Sequence, residues 1–341
     1  MSEARVTVGI PTFNRSDWLR DTIESVLAQT FTGFRLVVSD NASEDDTPDV
    51  VRSFGDERIE YVRSERNIGR IGNFNRLIAL ADTEFLVLLP DDDVLYPGHL
   101  EAAVDLLERF EAVGLAHSAF DLIDAQSQVI RRVNPLETRS PVTIETRALA
   151  LERLMASAWP ICFSSVVYRT KAIVEAGGMR EEDEPWGDLQ MWMRIALNWD
   201  FGYIAKPLAG FRDHPETATV GITANEARTS AGNEVAFRHA EIRFQRRMSF
   251  LGDAALEPRK ANWLRALATL ELVNEQAIIG LPRGEVVKRL VDLVRKYPRV
   301  ALSPALWRLV ARRLRSGLRG ASSRPTPRWA KLDWIRSGRR A

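Results

Sequence analysis

The segment Phe85–Asp93, FLVLLPDDD, constrains this chain more than any other. Phe85 to Leu89 is an uninterrupted apolar run, which suits a strand buried on both faces, as in a parallel sheet covered by helices. Pro90 stops the run, and Asp91, Asp92 and Asp93 follow at once. Adjacent carboxylates at the mouth of a core strand repel one another and cost stability unless a cation sits among them. An acidic loop or helix cap is the alternative, because Pro97 opens a helical pattern close by. The segments around FLVLLPDDD favour the cation.

Val6 to Ile10 predicts a first strand, followed by Pro11-Thr12-Phe13-Asn14-Arg15 and a helix capped by Ser16. Phe34 to Ser39 predicts a second strand ending in Asp40-Asn41, and Thr47-Pro48 starts the next helix. Ile59 to Val62, a helix over Asn73 to Ala81, and Phe85 to Leu89 continue the alternation. Strand–helix alternation at this spacing predicts right-handed crossovers and a parallel sheet. PTFNR, DNAS, RSERNIG and DDD then all fall beyond the carboxyl ends of strands, where open α/β sheets bind ligands. No GxGxxG follows the first strand, which argues against a nicotinamide or flavin cofactor.

Further along, the pattern predicts a helix over Pro97 to Phe110, a strand over Val113 to Phe120 and a helix over Ile144 to Ser157. Strands over Ile161 to Tyr168 and Phe201 to Gly210 follow, with a helix over Leu189 to Leu197 between them. From Thr223 onward helical periodicity replaces strand signals, at Ala227 to Phe250, Arg259 to Ile279 and Glu285 to Val294. The expected organisation is an α/β domain over 1–220, with a nucleotide half to about 110 and an acceptor half beyond it. A helical appendage over 221–306 and a basic amphipathic tail over 307–341 complete it.

The chain has 341 residues, one cysteine and a net charge of +1. A single Cys162 excludes an internal disulfide framework. No apolar run approaches the ~20 residues needed to span a bilayer, and MSEARVTVGI does not read as a signal peptide. A cytoplasmic protein is expected. From Trp307 to Arg340 there are eleven basic residues and one acid, Asp333, so the tail carries +10 and the rest +1 − 10 = −9.

Taken in order, these clusters resemble glycosyltransferase family two, the inverting enzymes of the GT-A fold. VTVGIPTFNR is similar to that family's opening strand and loop, VVSDNASEDDT to its second nucleotide-contacting loop, and NIGRIGNFN to its Asn-x-Gly segment. FLVLLPDDDVLYPGHLE resembles its metal-binding strand, GGMREEDEPWGDLQMWMRIA the segment carrying its catalytic base, and FRDH its late Tyr/Phe-Arg-x-His element. The match runs from Val6 to His214. Pro90 stands where members often carry the first acid of Asp-x-Asp-Asp, and Gly187 where they carry the Glu of a Glu-Asp pair.

The resemblance implies a Rossmann-like, mostly parallel sheet with helices on both faces, and transfer of a hexosyl or deoxyhexosyl group from a nucleoside-diphosphate sugar. The acceptor it implies is a hydroxyl of a glycan or lipid-linked molecule. A Mg²⁺ or Mn²⁺ cofactor would be bound by Asp92, with Asp91 on the donor ribose or on a metal-bound water. His214 would complete the coordination or touch the diphosphate. Asp40, with the backbone of Pro11, Thr12, Phe13 and Asn14, would face the base ring. Arg15, Asn67, Gly69 and Arg70 would join the donor site, with Arg63 as a further phosphate or base contact. Asp188 would be the base that takes the acceptor proton, with Glu184 as its nearest substitute, and the helix following Asp188 would favour its ionised form. A nucleotidyltransferase, or a nucleotide-sugar binder without turnover, are the competing functions.

Trp307, Leu309, Leu314, Leu318, Trp329 and Trp334 interleave with the tail's basic residues, which suits an anionic membrane surface on its inner face. A solvated tail is the alternative, and nucleic acid is not expected. The full chain should float with anionic liposomes and a chain ending at Pro304 should not. Equal flotation would reject the tail as an anchor.

Overall fold

The computed structural model describes residues 4–136, 138, 140–156, 161–184, 187–214, 244–279 and 283–298. The chain divides into two compact units, Met1–Asn225 and Glu226–Ala341.

The first unit opens with β1 (Val6–Thr12), α1 (Ser16–Leu27), β2 (Phe34–Asp40), α2 (Thr47–Arg52), β3 (Ile59–Arg63), α3 (Gly69–Leu80) and β4 (Phe85–Leu88). Then come β5 (Val94–Leu95), α4 (His99–Arg109), β6 (Val113–Ile123), β7 (Val129–Val133), β8 (Val142–Glu145) and α5 (Arg147–Ala156). β9 (Val167–Arg169), α6 (Thr170–Glu175), α7 (Gly187–Ile195) and β10 (Asp200–Arg212) complete it. The strands form one sheet in the order β3-β2-β1-β4-β9-β6-β10-β5, with β7 beside β6 and β8 beside β10.

The nucleotide half is parallel throughout, as the alternation predicts: β1 pairs with β2 and β4, and β2 with β3. The second half is mixed. β10 runs parallel to β6, whereas β9 is antiparallel to both β4 and β6. Two reversals at β9 restore the direction, so β10 runs the same way as β4. The ends of β1, β2, β3, β4 and β10 therefore open on one side of the sheet. That arrangement carries His214 from the far end of the unit to the DDD segment.

Alternation along β1 explains the two helical layers. Val6, Val8 and Ile10 face a buried cluster with Leu19, Ile23 and Val26 of α1 and Leu100, Val104 and Leu107 of α4. On the opposite face Gly9 lies against Leu77 of α3, where a methyl group would stand 2.9 Å from Leu77 Cδ2. Each fully buried Val, Leu or Ile contributes about 1.5–3 kcal/mol, so these layers fix β4 and the residues it carries.

The structure corrects several local expectations. Ser16 and Thr47 are the first helical residues rather than caps; Arg15 and Asp46 hold the cap positions, and neither makes a side-chain capping bond. α3 begins at Gly69, not Asn73. The predicted strand over Ile161 to Tyr168 is a 3-10 turn at Phe163–Ser165 followed by a strand only from Val167. Most of the expected helix over Ile144 to Ser157 is α5, but Val142–Glu145 is a strand.

In the second unit, residues 244–253 are helical, and helices Pro258–Ile279 and Arg283–Lys296 contact one another. The rest of the helix expected from Ala227, and the basic tail, lie outside the described residues. Among the described residues no helix is long and apolar enough to cross a membrane.

Gly114, on β6, is hemmed in by the segment before β10 and by α6. A Cβ there would lie 2.5 Å from Trp199 Cβ and 3.0 Å from Ala172 Cβ, atoms next to the backbone that cannot swing aside. Gly114→Ala should therefore destabilise the protein by about 1–3 kcal/mol, read as a lower urea midpoint with an unchanged slope.

Candidate active site

Loops following β1, β2 and β3 interlock at the mouth of the sheet. Asn14 sits in the left-handed region at φ 53°. Its N–H donates to Ser43 Oγ at 2.9 Å and its side-chain oxygen accepts the Glu44 N–H at 2.8 Å. Thr12, the last residue of β1, accepts the Asn41 N–H through its carbonyl at 2.9 Å. Asn41 donates to Asn67 Oδ1 at 2.8 Å and accepts the Ile68 N–H at 2.8 Å, while the Gly69 N–H donates to Asn67 Oδ1 at 2.8 Å. Thus Pro11 to Asn14, Asp40, Asn67 and Gly69 come together, with Phe13 exposed at the rim.

Asp40 is fully buried. Its Oδ1 accepts the Ser43 N–H at 2.8 Å, and its Oδ2 accepts the Tyr61 hydroxyl and lies 3.3 Å from Arg63 Nε. Arg63 also donates to the Ser43 carbonyl at 2.7 Å. Those partners make Asp40 and Arg63 the fasteners of the β2–β3 corner.

The second group surrounds the acids. Asp91, Asp92 and Asp93 are all buried. Asp92 Oδ2 lies 2.5 Å from Arg15 Nη1 and 3.2 Å from His214 Nε2. Asp93 accepts the Ser164 hydroxyl and the Arg212 N–H, the latter at 2.8 Å. The Thr22 hydroxyl of α1 is shared between the carbonyls of Asp91 and Asp93, at 2.9 and 2.8 Å. Burial and the charge of Asp92 push the Asp91 carboxyl up to about 7 and hold Asp93 well above the ordinary carboxylate range. Both oxygens of Asp93 are taken within the fold, by the Ser164 hydroxyl and the Arg212 N–H.

Arg212 fastens this group. Completely buried, it donates from Nε to the Asp92 carbonyl at 2.7 Å and from Nη1 to Ser127 Oγ at 2.9 Å, and reaches Asp21 Oδ2 at 3.3 Å. Its guanidinium stands 4.8 Å over the Trp18 ring, and the His214 ring stacks on the same indole with centroids 5.1 Å apart. Trp18, Thr22, Asn41, Tyr61 and Arg212 all shape the site but were missing from the sequence-derived set. FRDH pointed to Arg212; nothing in the sequence pointed to Trp18, which reads there as an ordinary apolar position of α1.

Asp188 stands on the first turn of α7, its Oδ1 accepting its neighbour Leu189's N–H at 2.7 Å. Burial raises its pKa despite that bond and the charge of Arg70. The helix terminus was expected to favour the ionised form; desolvation outweighs it. Arg70, at the start of α3, pairs with Glu184 at 2.8 Å and so ties the nucleotide half to the loop before Asp188. That loop is anchored by Arg194, which donates to the carbonyls of Ala176 and Gly178 at 2.9 and 2.6 Å and pairs with Asp183 at 2.7 Å. Gly178 is required there: its φ is +61°, and a Cβ would lie 2.7 Å from Asn75 Oδ1.

Among the described residues, no three acidic, histidine or cysteine side chains are grouped so as to enclose an ion. The residues present still fit a divalent cation of the kind that keeps substrate ligands. Mg²⁺ and Mn²⁺ are commonly held by one or two carboxylates with the remaining positions filled by phosphate and water. Asp92 supplies such a carboxylate and His214 a neighbouring imidazole, 3.2 Å from it.

A parallel half opening on acids is thus continued by a mixed half that carries a further carboxylate, Asp188, on α7. Residues 7–163 match the family model Glycosyl transferase family 2. Over that segment the chain is similar to that family, and its relatives support a glycosyltransferase enzyme. Relatives include an uncharacterized glycosyltransferase of Rickettsia typhi, 21% identical over 86% of this chain and 92% of its own length. Another, from Nostoc sp., is 29% identical over 50% of this chain and 52% of its own. The chain spans 30% of a third, from Rickettsia bellii, at 24% identity. Among solved structures, S. aureus TarS 1-349 in complex with UDP-GlcNAc superposes with a TM-score of 0.55 at 17% identity, over 86% of this chain and 82% of that one. The Pyrobaculum calidifontis mannosyltransferase PcManGT, with GDP-Man and Mn2+, gives 0.56 at 16% identity over 92% and 87%. The shared fold is GT-A.

Replacing Arg212 by Leu would strip donors from the Asp92 carbonyl, Ser127 and Asp21 while leaving buried charge uncompensated. The expected loss is about 3 kcal/mol or more of stability, together with loss of nucleotide binding. An Arg212→Leu protein of unchanged thermal midpoint would remove this residue from its anchoring role.

Proposed function

We propose that this protein is a metal-dependent, inverting glycosyltransferase that moves a sugar from a nucleoside-diphosphate sugar to a hydroxyl of a glycan or lipid-linked acceptor. The observation that carries the proposal is the contact of Asp92, at the mouth of β4, with His214 beyond β10, while Asp188 stands apart on α7. Diphosphate and acceptor chemistry need two such separate stations. The two structural neighbours, one bound to UDP-GlcNAc and one to GDP-Man and Mn2+, support a donor of this class.

Asp92 and His214 would hold the cation, and Asp91 the ribose or a metal-bound water. When bound, the divalent ion supplies positive charge to the departing diphosphate. Pro11 to Asn14, Asn67 and Gly69 line the donor side. Asp188 takes the proton from the acceptor hydroxyl as its oxygen bonds to the anomeric carbon from the face opposite the diphosphate. The bond from that carbon to the diphosphate oxygen breaks, its electron pair leaves with the nucleoside diphosphate, and the configuration inverts.

Raising the pKa of Asp188 makes it a stronger base and narrows the range in which it is ionised. Activity should fall as pH drops through that raised value, so the acid limb should lie above the ordinary aspartate pKa of about 3.9. Asp188→Asn should keep donor binding, lower kcat by about 100- to 10,000-fold and abolish that limb. Retained turnover in Asp188→Asn would sink the assignment.

A further inference from the structure

Arg15 makes an unusual contact for a residue expected on the donor. Its Nη1 lies 2.5 Å from Asp92 Oδ2, the oxygen that His214 Nε2 also approaches at 3.2 Å. Asp91 and Asp93 flank Asp92 in the same buried turn. Arg212 directs its side chain elsewhere, to the Asp92 carbonyl, Ser127 and Asp21. The Asp92 carboxylate is thus met by the guanidinium of Arg15.

Exposure separates the two partners. The Arg15 side chain is 25% exposed and that of Asp92 11%, so the guanidinium reaches inward from the solvent side. Its backbone follows Asn14, which is pinned to Ser43 and Glu44. A long side chain on a fixed backbone can withdraw by rotation alone, without disturbing the loops of the donor pocket.

We propose that Arg15 is a built-in counter-ion for Asp92, holding the carboxylate until a divalent cation and a nucleoside diphosphate arrive together. The guanidinium then gives up Asp92 and pairs with the diphosphate, whose oxygens match its planar donors. This rests on the metal-dependent transferase reading above. A cation alone must compete with Arg15. A cation arriving with a diphosphate offers Arg15 a new partner, so binding of the two is coupled.

Calorimetry with Mn²⁺ and with UDP, GDP and dTDP on the full chain tests this. Wild type should bind Mn²⁺ on the order of tenfold more tightly when its preferred nucleoside diphosphate is present. Arg15→Gln should bind Mn²⁺ alone on the order of tenfold more tightly than wild type, bind the diphosphate more weakly, and lose most of the coupling. Arg15→Lys, which keeps charge without the fork, should fall between them. In EDTA the Arg15→Gln melting temperature should drop below wild type, and Mn²⁺ should restore it. The gain in Mn²⁺ affinity should vanish when Asp92→Asn is added.

A merely structural Arg15 would weaken Mn²⁺ and diphosphate alike on substitution. That result, an unchanged Mn²⁺ affinity, or a gain that survives Asp92→Asn would overturn the counter-ion role. Metal-dependent diphosphate binding by wild type would meanwhile stand. Wild type that takes up no Mn²⁺ with any of the three diphosphates would overturn both readings.

Discussion

A buried arginine and a run of buried acids hold this site together. Arg212 has no exposure, and its donors go to main-chain oxygen, a serine and an aspartate on different elements. Removing such a charge from water is expensive unless its donors are all used. The expense is offset here by geometry that only the assembled unit supplies, since β10, α1, the β6–β7 turn and the DDD segment must all be in place. Fold and site are therefore one problem for this chain.

Desolvation acts with opposite consequences at two places. Around Asp92 it concentrates negative charge that guanidinium and imidazole groups partly answer. At Asp188 it raises the pKa of a carboxylate that the field of Arg70 and the Arg70–Glu184 pair link to the nucleotide half. In the proposed reaction two separate carboxylate stations would serve leaving group and nucleophile, as displacement at a single carbon requires.

The nucleotide half was legible in the sequence because each of its signals is local: an apolar run, a turn, a polar cluster. β4 and its acids could be read from nine consecutive letters. The second half was harder. β5 has two residues, and β7 reads VIRRV, without clean alternation. The turn at Phe163–Ser165 replaces an apolar strand because Ser164 must reach Asp93 and Ser165 the Cys162 carbonyl. Those are demands of tertiary structure, invisible in propensity. The same holds for Asp40, whose partners Tyr61 and Arg63 come from the next strand, and for Trp18, whose role depends on two residues that follow it by nearly the whole domain.

β9 has a consequence for how the protein is made. It sits between β4 and β6 and pairs with both, yet β5, α4, β6, β7, β8 and α5 all separate it from β4 in the chain. As the ribosome delivers the chain, β3-β2-β1-β4 can assemble first and present the open edge of β4, an apolar strand with unpaired amides and carbonyls. The unpaired edge persists until Val167–Arg169 emerges, and the acids beyond it wait longer still for Arg212. The bulk of α4, packed over the same cluster, shields one face of that intermediate from self-association but leaves its edge exposed. The second edge of β4 thus finds its partner only after the chain has been made as far as β9.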